Sequence, residues 1–288
     1  MKRSSTEGFV TTKGAKIYYK IMGDGDPVVV VHGGPGFDHM HMLPISLLAD
    51  SYKLVFFDQR ASGRSTGKVD RHSINAKRFV DDLEKIRNSL GLGKIHILGH
   101  SWGAMLSLLY SITYPDRLRT MVLLAPSASF EHLDQYSINI QKRTSKEDRE
   151  AIQKMEQSSR FKKRDPRAVQ EYYRVAVKPF FHDNAYVYEM DLSFGKRTAK
   201  NQSRISELLI ESLGEFNIHS RLSRITCPVL VVHGESDPLP KKAPTSVHRN
   251  IPQSEFLVLR NTGHFMFVEA LDKLLDSIRG FFEKTTPN

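Results

Sequence analysis

The sequence holds a single cysteine, Cys227, and a single tryptophan, Trp102, in 288 residues. One thiol excludes an internal disulfide framework and any multi-cysteine zinc site. There is no run of about 18 apolar residues, so no segment is expected to cross a bilayer as a helix. The opening MKRSSTEGFV carries basic residues without an apolar stretch behind them, which predicts no secretory leader and a cytoplasmic location. The 13 prolines and 18 glycines are spread along the chain, so no Pro- or Gly-rich linker marks two separate domains. Positive charge is in excess: 42 Lys and Arg stand against 32 Asp and Glu, a formal net charge of +10. Nucleic acid and acidic membrane surfaces are therefore partners to be weighed.

Short apolar runs without polar interruption read as strands buried on both faces. They fall at Val28–Val31, Lys53–Phe57, Ile95–Leu98, Met121–Leu124, Val229–Val232 and Phe256–Leu259, after two β-rich pieces within 8–21. Helical spacing lies between them. From Ser73, read as an N-cap, Phe79, Val80, Leu83, Ile86 and Leu90 recur on one face up to Gly91. Trp102–Tyr114 and Val268–Phe282 read as further helices. Strands alternating with helices predict an α/β fold with a mostly parallel central sheet flanked by helices. The rhythm breaks between about Ser127 and Leu222, where charged helical sequence replaces buried strands. We read residues 1–126 and 223–288 as the two parts of one core, and 127–222 as a helical cap inserted after the sixth strand.

Gly99-His100-Ser101-Trp102-Gly103 matches G-x-S-x-G between a strand and a helix, the setting a nucleophile elbow needs. Serine is a poor nucleophile at neutral pH and requires a base, commonly a histidine oriented by a carboxylate. Among twelve histidines, His264 follows the last strand, on the rim where active-site residues of an open α/β sheet collect. Asp237 follows the preceding strand by the same logic, with Glu235 as competitor for the acid role. The order Ser101, Asp237, His264 is that of an α/β-hydrolase triad. An oxyanion hole takes two backbone N–H donors. Trp102 supplies one, and the Gly-rich loop His32–Gly36 the other, through Gly34 or, as alternate, Gly33. That loop lacks the Lys-Ser/Thr of a phosphate-binding loop. His39-Met40-His41 is a weak metal motif, and no metal or cofactor is expected.

Together, HGGPG at 32–36, DQRASGRS at 58–65, GHSWG at 99–103, GESDPLP and GHF resemble the α/β-hydrolases of the proline iminopeptidase type. The resemblance covers about residues 8–125 and 222–285. It implies the Ser101–His264–Asp237 triad, the Gly34 and Trp102 oxyanion donors, no metal, and removal of an N-terminal residue, often proline, from short peptides. Two departures stand out. Ala61 occupies a position where that family usually has Gly, and the cap has no tryptophan. Binding a free α-amine needs a carboxylate, since an unpaired buried ammonium is costly. Glu207 is the first candidate and Glu189 the second, with Asp191, Glu211 and Glu215 behind them.

The expected substrate is a small molecule or short peptide, and the alternative reaction is hydrolysis of a carboxylic ester or lactone. A reading of another class is a non-enzymatic module using the basic stretch 141–167, which holds ten Lys or Arg against five Asp or Glu. Acids interrupt that stretch and aromatics are few, so a solvated helical lid is the favoured reading, with neither nucleic acid nor membrane as partner.

Overall fold

The computed structural model describes residues 5–285. Among these, eight strands form one sheet in the order β1-β2-β4-β3-β5-β6-β7-β8. β1 (Ser5–Thr12) and β2 (Ala15–Met22) form an antiparallel hairpin, and β2 runs antiparallel to β4 (Tyr52–Phe57). From β4 onward all neighbours are parallel: β3 (Asp26–Val31), β5 (Ile95–His100), β6 (Leu118–Leu124), β7 (Val229–Gly234) and β8 (Ser254–Leu259). The chain reverses its march across the sheet at β3, which lies between β4 and β5. Ligands of open α/β sheets bind at such a switch, outside the carboxyl ends of the strands. The loops 32–36 and 100–102 leave the sheet there.

Alternation along β3 explains why four consecutive valines are needed. Val29 and Val31 pack with Phe79 and Leu83 on one face, and Val28 and Val30 with Ile278 and Phe282 on the other. The first group comes from α1 (Ala76–Ser89), which shares its face with α2 (Trp102–Thr113). The α1 start differs from expectation. Asn75 is the N-cap, its side chain accepting from the Arg78 N–H, while the Ser73 hydroxyl accepts from Arg60 at 3.0 Å. Cys227, buried before β7, has its thiol pushed up to about 12 by burial and stays protonated at neutral pH.

Between β6 and β7 lies a helical insertion: α3 (Leu133–Arg143), α4 (Lys146–Gln157), the single turn α5 (Ser159–Lys162), α6 (Pro166–Ala176), α7 (Lys196–Leu213) and the turn α8 (His219–Leu222). Its exit and return run side by side. Phe130 N–H donates to Phe216 O at 3.0 Å and Ile218 N–H to Ala128 O at 2.8 Å. After β7 come α9 (Lys242–Asn250), α10 (Met266–Glu269) and α11 (Leu271–Thr285). The single closing helix expected over 268–282 is thus two, broken at Ala270, whose φ of −139° is not helical.

Candidate active site

Ser101 stands between β5 and α2 with φ 54° and ψ −118°, a backbone state that an L-residue adopts only where its surroundings impose it. The imposition is visible in the packing. A Cβ on Gly103 would lie 2.1 Å from the Val31 carbonyl oxygen, so α2 can start this close to β3 only through glycine. Ser101 N–H donates to Leu124 O at 2.8 Å, which pins the turn to the neighbouring strand.

His264 and Asp237, 27 positions apart, meet at the ends of β8 and β7. His264 Nδ1–H donates to Asp237 Oδ2 at 2.8 Å, and Leu239 N–H donates to the other carboxylate oxygen at 2.7 Å. The Asp237 side chain is fully buried. With Nδ1 carrying the proton, Nε2 presents a lone pair. Glu235 is exposed and accepts from Asn261 N–H at 3.3 Å, so the acid beside the histidine is Asp237.

The glycine loop is held by a chain of hydrogen bonds that sequence reading missed. Trp102 Nε1–H donates to Gln59 Oε1 at 2.7 Å, and Gln59 Nε2–H donates to His32 O at 2.7 Å. Gln59 N–H donates to His32 Nε2 at 3.1 Å, leaving Nδ1–H to donate to Gly33 O at 2.8 Å. The buried Gln59 therefore ties the elbow to the loop. Its signal was the DQR motif, whose other members act in the scaffold: Asp58 accepts from His39 Nδ1 at 2.7 Å and Arg60 forms a bidentate pair with Asp82 at 2.7 Å. Gly34, at φ +129°, lines the cavity with Ser101, whereas Gly33 faces His100. The Trp102 amide is at the first position of α2, where no intrahelical acceptor exists.

Ser101 and His264 open on a cavity of about 290 Å³ bounded by the insertion through Tyr136, Tyr172, Tyr173, Phe180 and Gln202. A smaller chamber of about 90 Å³ shares Ser101, Tyr136 and His264 and is lined further by Met105, Phe130 and Leu133. No carboxylate lines either chamber among the described residues. Burial holds His41 down to about 3 and His100 well below the ordinary imidazole range, so both are neutral at pH 7. The tyrosine pairs of the insertion were not picked out from sequence. Their signal was the EYYR run at 171–174 beside KPFF at 178–181.

The acids proposed from sequence to hold an amine do not reach this cavity. Glu207 is exposed on α7 and paired with Arg204 at 2.9 Å, and Glu189 is exposed after a short 3-10 turn. Asp191 and Glu215 are also exposed, and Glu211 pairs with Arg71 at 2.6 Å. The cause is helix phase: α7 buries Ile205, Leu208 and Leu209, which turns Glu207 to solvent. His39 and His41 likewise part company, the first toward Asp58 and the second toward the cavity. The basic stretch contributes Arg160, Lys163 and Arg164 to a groove that shares no residue with the cavity.

Fold and site geometry together define a class. Residues 26–271 match the model of the alpha/beta hydrolase fold family, and the chain belongs to that family. Within it, the chain is 26% identical to a proline iminopeptidase of Heyndrickxia coagulans over 96% of this chain and 98% of that protein. Its fold matches a proline iminopeptidase structure from Mycobacterium smegmatis with a TM-score of 0.73 at 22% identity, covering 97% of this chain and 98% of that one. A thermophilic esterase from Thermogutta terrifontis matches with a TM-score of 0.69 at 22% identity, covering 98% and 100%. No helix among the described residues is long and apolar enough to cross a membrane.

Proposed function

We propose that this chain is a serine hydrolase working through an acyl-enzyme. His264 Nε2 takes the Ser101 proton as Oγ attacks the substrate carbonyl, Asp237 holds the imidazole in the required tautomer, and the Trp102 and Gly34 N–H groups donate to the developing oxyanion. The imidazolium then protonates the leaving group, and water, deprotonated by the same histidine, releases the acid. The observation that carries this reading is the strained Ser101 turn facing the same cavity as a histidine whose Nδ1 is bonded to a buried carboxylate. Replacing Ser101 by Ala is expected to abolish turnover and covalent fluorophosphonate labelling. Labelling that persists in S101A would place the nucleophile elsewhere.

For the substrate, the uncharged lining favours a neutral acyl compound, a carboxylic ester or lactone with an apolar or aromatic portion. An ammonium closed into this cavity would find ring faces and hydroxyls but no counter-charge, and that is costly. A second reading, an aminopeptidase releasing N-terminal residues with proline preferred, is favoured by full-length similarity to a proline iminopeptidase. The two separate on a pair of substrates. The ester reading expects turnover of p-nitrophenyl butyrate and little of proline p-nitroanilide, and the reverse ratio would overturn it in favour of the aminopeptidase.

A further inference from the structure

Four consecutive residues of the insertion, 180–183, grip both loops that carry the histidine and its carboxylate. Phe180 O accepts from His264 N–H at 2.6 Å, and the Phe180 ring stands edge-on to the imidazole at 5.6 Å. Arg143, from α3, donates to Phe181 O at 2.5 Å and, through its other terminal nitrogen, to the Ser236 carbonyl next to Asp237. His182 Nδ1 lies 2.8 Å from Ser236 Oγ. Glu269, at the end of α10, joins these parts. One carboxylate oxygen accepts from His182 N–H at 2.7 Å and Asp183 N–H at 3.1 Å, and the other accepts from Gly263 N–H at 2.7 Å. Three backbone donors on one half-buried carboxylate, two from the insertion and one from the residue before His264, form a strap between separate parts of the chain.

We propose that Glu269 is a positioning residue for His264, fixing the histidine loop against the insertion so that the imidazole faces Ser101 only while segment 180–183 is docked. The role rests on the reading of His264 as the base. A carboxylate suits it because each backbone N–H finds a charged acceptor, roughly twice as strong as a neutral one. The charged and titratable groups around Glu269 are Arg143 from α3, His182 and Asp183 from the insertion, and the Asp237–His264 pair from the core. Its negative charge also favours the imidazolium formed during catalysis.

The test is Glu269→Gln in the full chain, a change that keeps the volume but removes the charge and turns an NH2 group toward one of the backbone donors. With p-nitrophenyl butyrate, or whichever of the two substrates the wild type turns over, kcat is expected to fall about tenfold with KM within about threefold. The rate of fluorophosphonate labelling of Ser101 should fall with it, since both depend on where the imidazole points. Wild-type kcat and labelling rate overturn the proposal whatever the melting temperature, since a merely structural residue would move only the latter. Should E269Q fail to fold, Glu269→Asp carries the test. A carboxylate one methylene shorter cannot reach both backbones, so kcat and the labelling rate fall, and wild-type kcat overturns the role. His264→Ala separates the two levels. If H264A retains turnover, the base assignment itself fails, whereas an inactive H264A beside a wild-type-like E269Q leaves that assignment standing and removes only the strap.

Discussion

At the residue scale, Gln59 shows how one neutral amide can set two loops. Both ends of its side chain are used, the oxygen by the Trp102 indole and the nitrogen by His32 O, so the proposed oxyanion donors on either side of Ser101 share one buried tether. Gln59→Leu keeps most of the volume and leaves the indole N–H and the His32 carbonyl unpaired. Each unpaired buried polar group costs about 1–3 kcal/mol. The looser glycine loop is expected to lower kcat by about 10- to 100-fold, with a smaller change in KM, in steady-state ester hydrolysis. Equal kcat in a folded variant would show that the loop holds its shape without this tether. Gln59 was invisible as a functional residue in the sequence because nothing local links position 59 to 102. By contrast, the proposed triad of Ser101, Asp237 and His264 could be picked out as candidates, since each sits in a short motif just past a buried strand. Ala61 adds a different case. It sits at φ 62°, a left-handed state that favours glycine, yet its methyl is completely buried in the core.

At the element scale, the contact between α2 and β3 sets the elbow. Gly103→Ala would bring a methyl within 2.1 Å of Val31 O and 2.6 Å of His32 O, both backbone atoms with no freedom to swing away. Overpacking of this sort costs about 1–3 kcal/mol, and the displacement falls on the turn that aims Ser101. G103A is expected to melt several degrees lower and to react more slowly with a fluorophosphonate, read by calorimetry and by labelling rate. Unchanged values for both would mean the helix can retreat without disturbing the serine. Helices also account for what the sequence could not convey. Spacing alone predicts that α7 is amphipathic but not where its faces point. Gln202 lines the cavity, while Glu207, five residues on and about 140° around the axis, faces water. The same limit hid Tyr136, Tyr172 and Tyr173, because their place at the cavity depends on how the insertion folds back over the sheet. The core strands escaped this difficulty, since four apolar residues in a row fit a central parallel strand whichever face is considered.

At the scale of the whole molecule, buried neutral histidines tie stability to pH. Burial lowers His32 and His96 to about 4 and His41 to about 3, from an ordinary value of 6.5. The unfolded chain therefore binds protons that the folded chain refuses as pH falls below about 6.5. Each group lowers stability progressively until its folded value is reached, by on the order of 3 kcal/mol or more at the acid end. Asp38 acts in the opposite sense. Burial raises it to about 6 from 3.8, so the folded chain takes up a proton first and gains stability over that window, offsetting about one histidine. The net expectation is a urea midpoint that is steady above pH 7 and drops between pH 6.5 and 4. A midpoint unchanged across that range would show that these histidines are not buried neutral. The net charge of +10 adds self-repulsion of the same sign on acidification.

The tryptophan noted at the outset for its scarcity has a practical meaning that follows from its place. Its indole donates to Gln59 at 2.7 Å and packs edge-on against Phe79 at 6.0 Å, one residue from the serine at the heart of the cavity. Emission excited at the red edge of the protein band therefore originates from one side chain beside the proposed nucleophile, with no other indole to dilute it. Quenching, spectral position and lifetime of that light report the state of the elbow directly, so the proposed acylation and deacylation would be followed in the unlabelled protein by stopped flow.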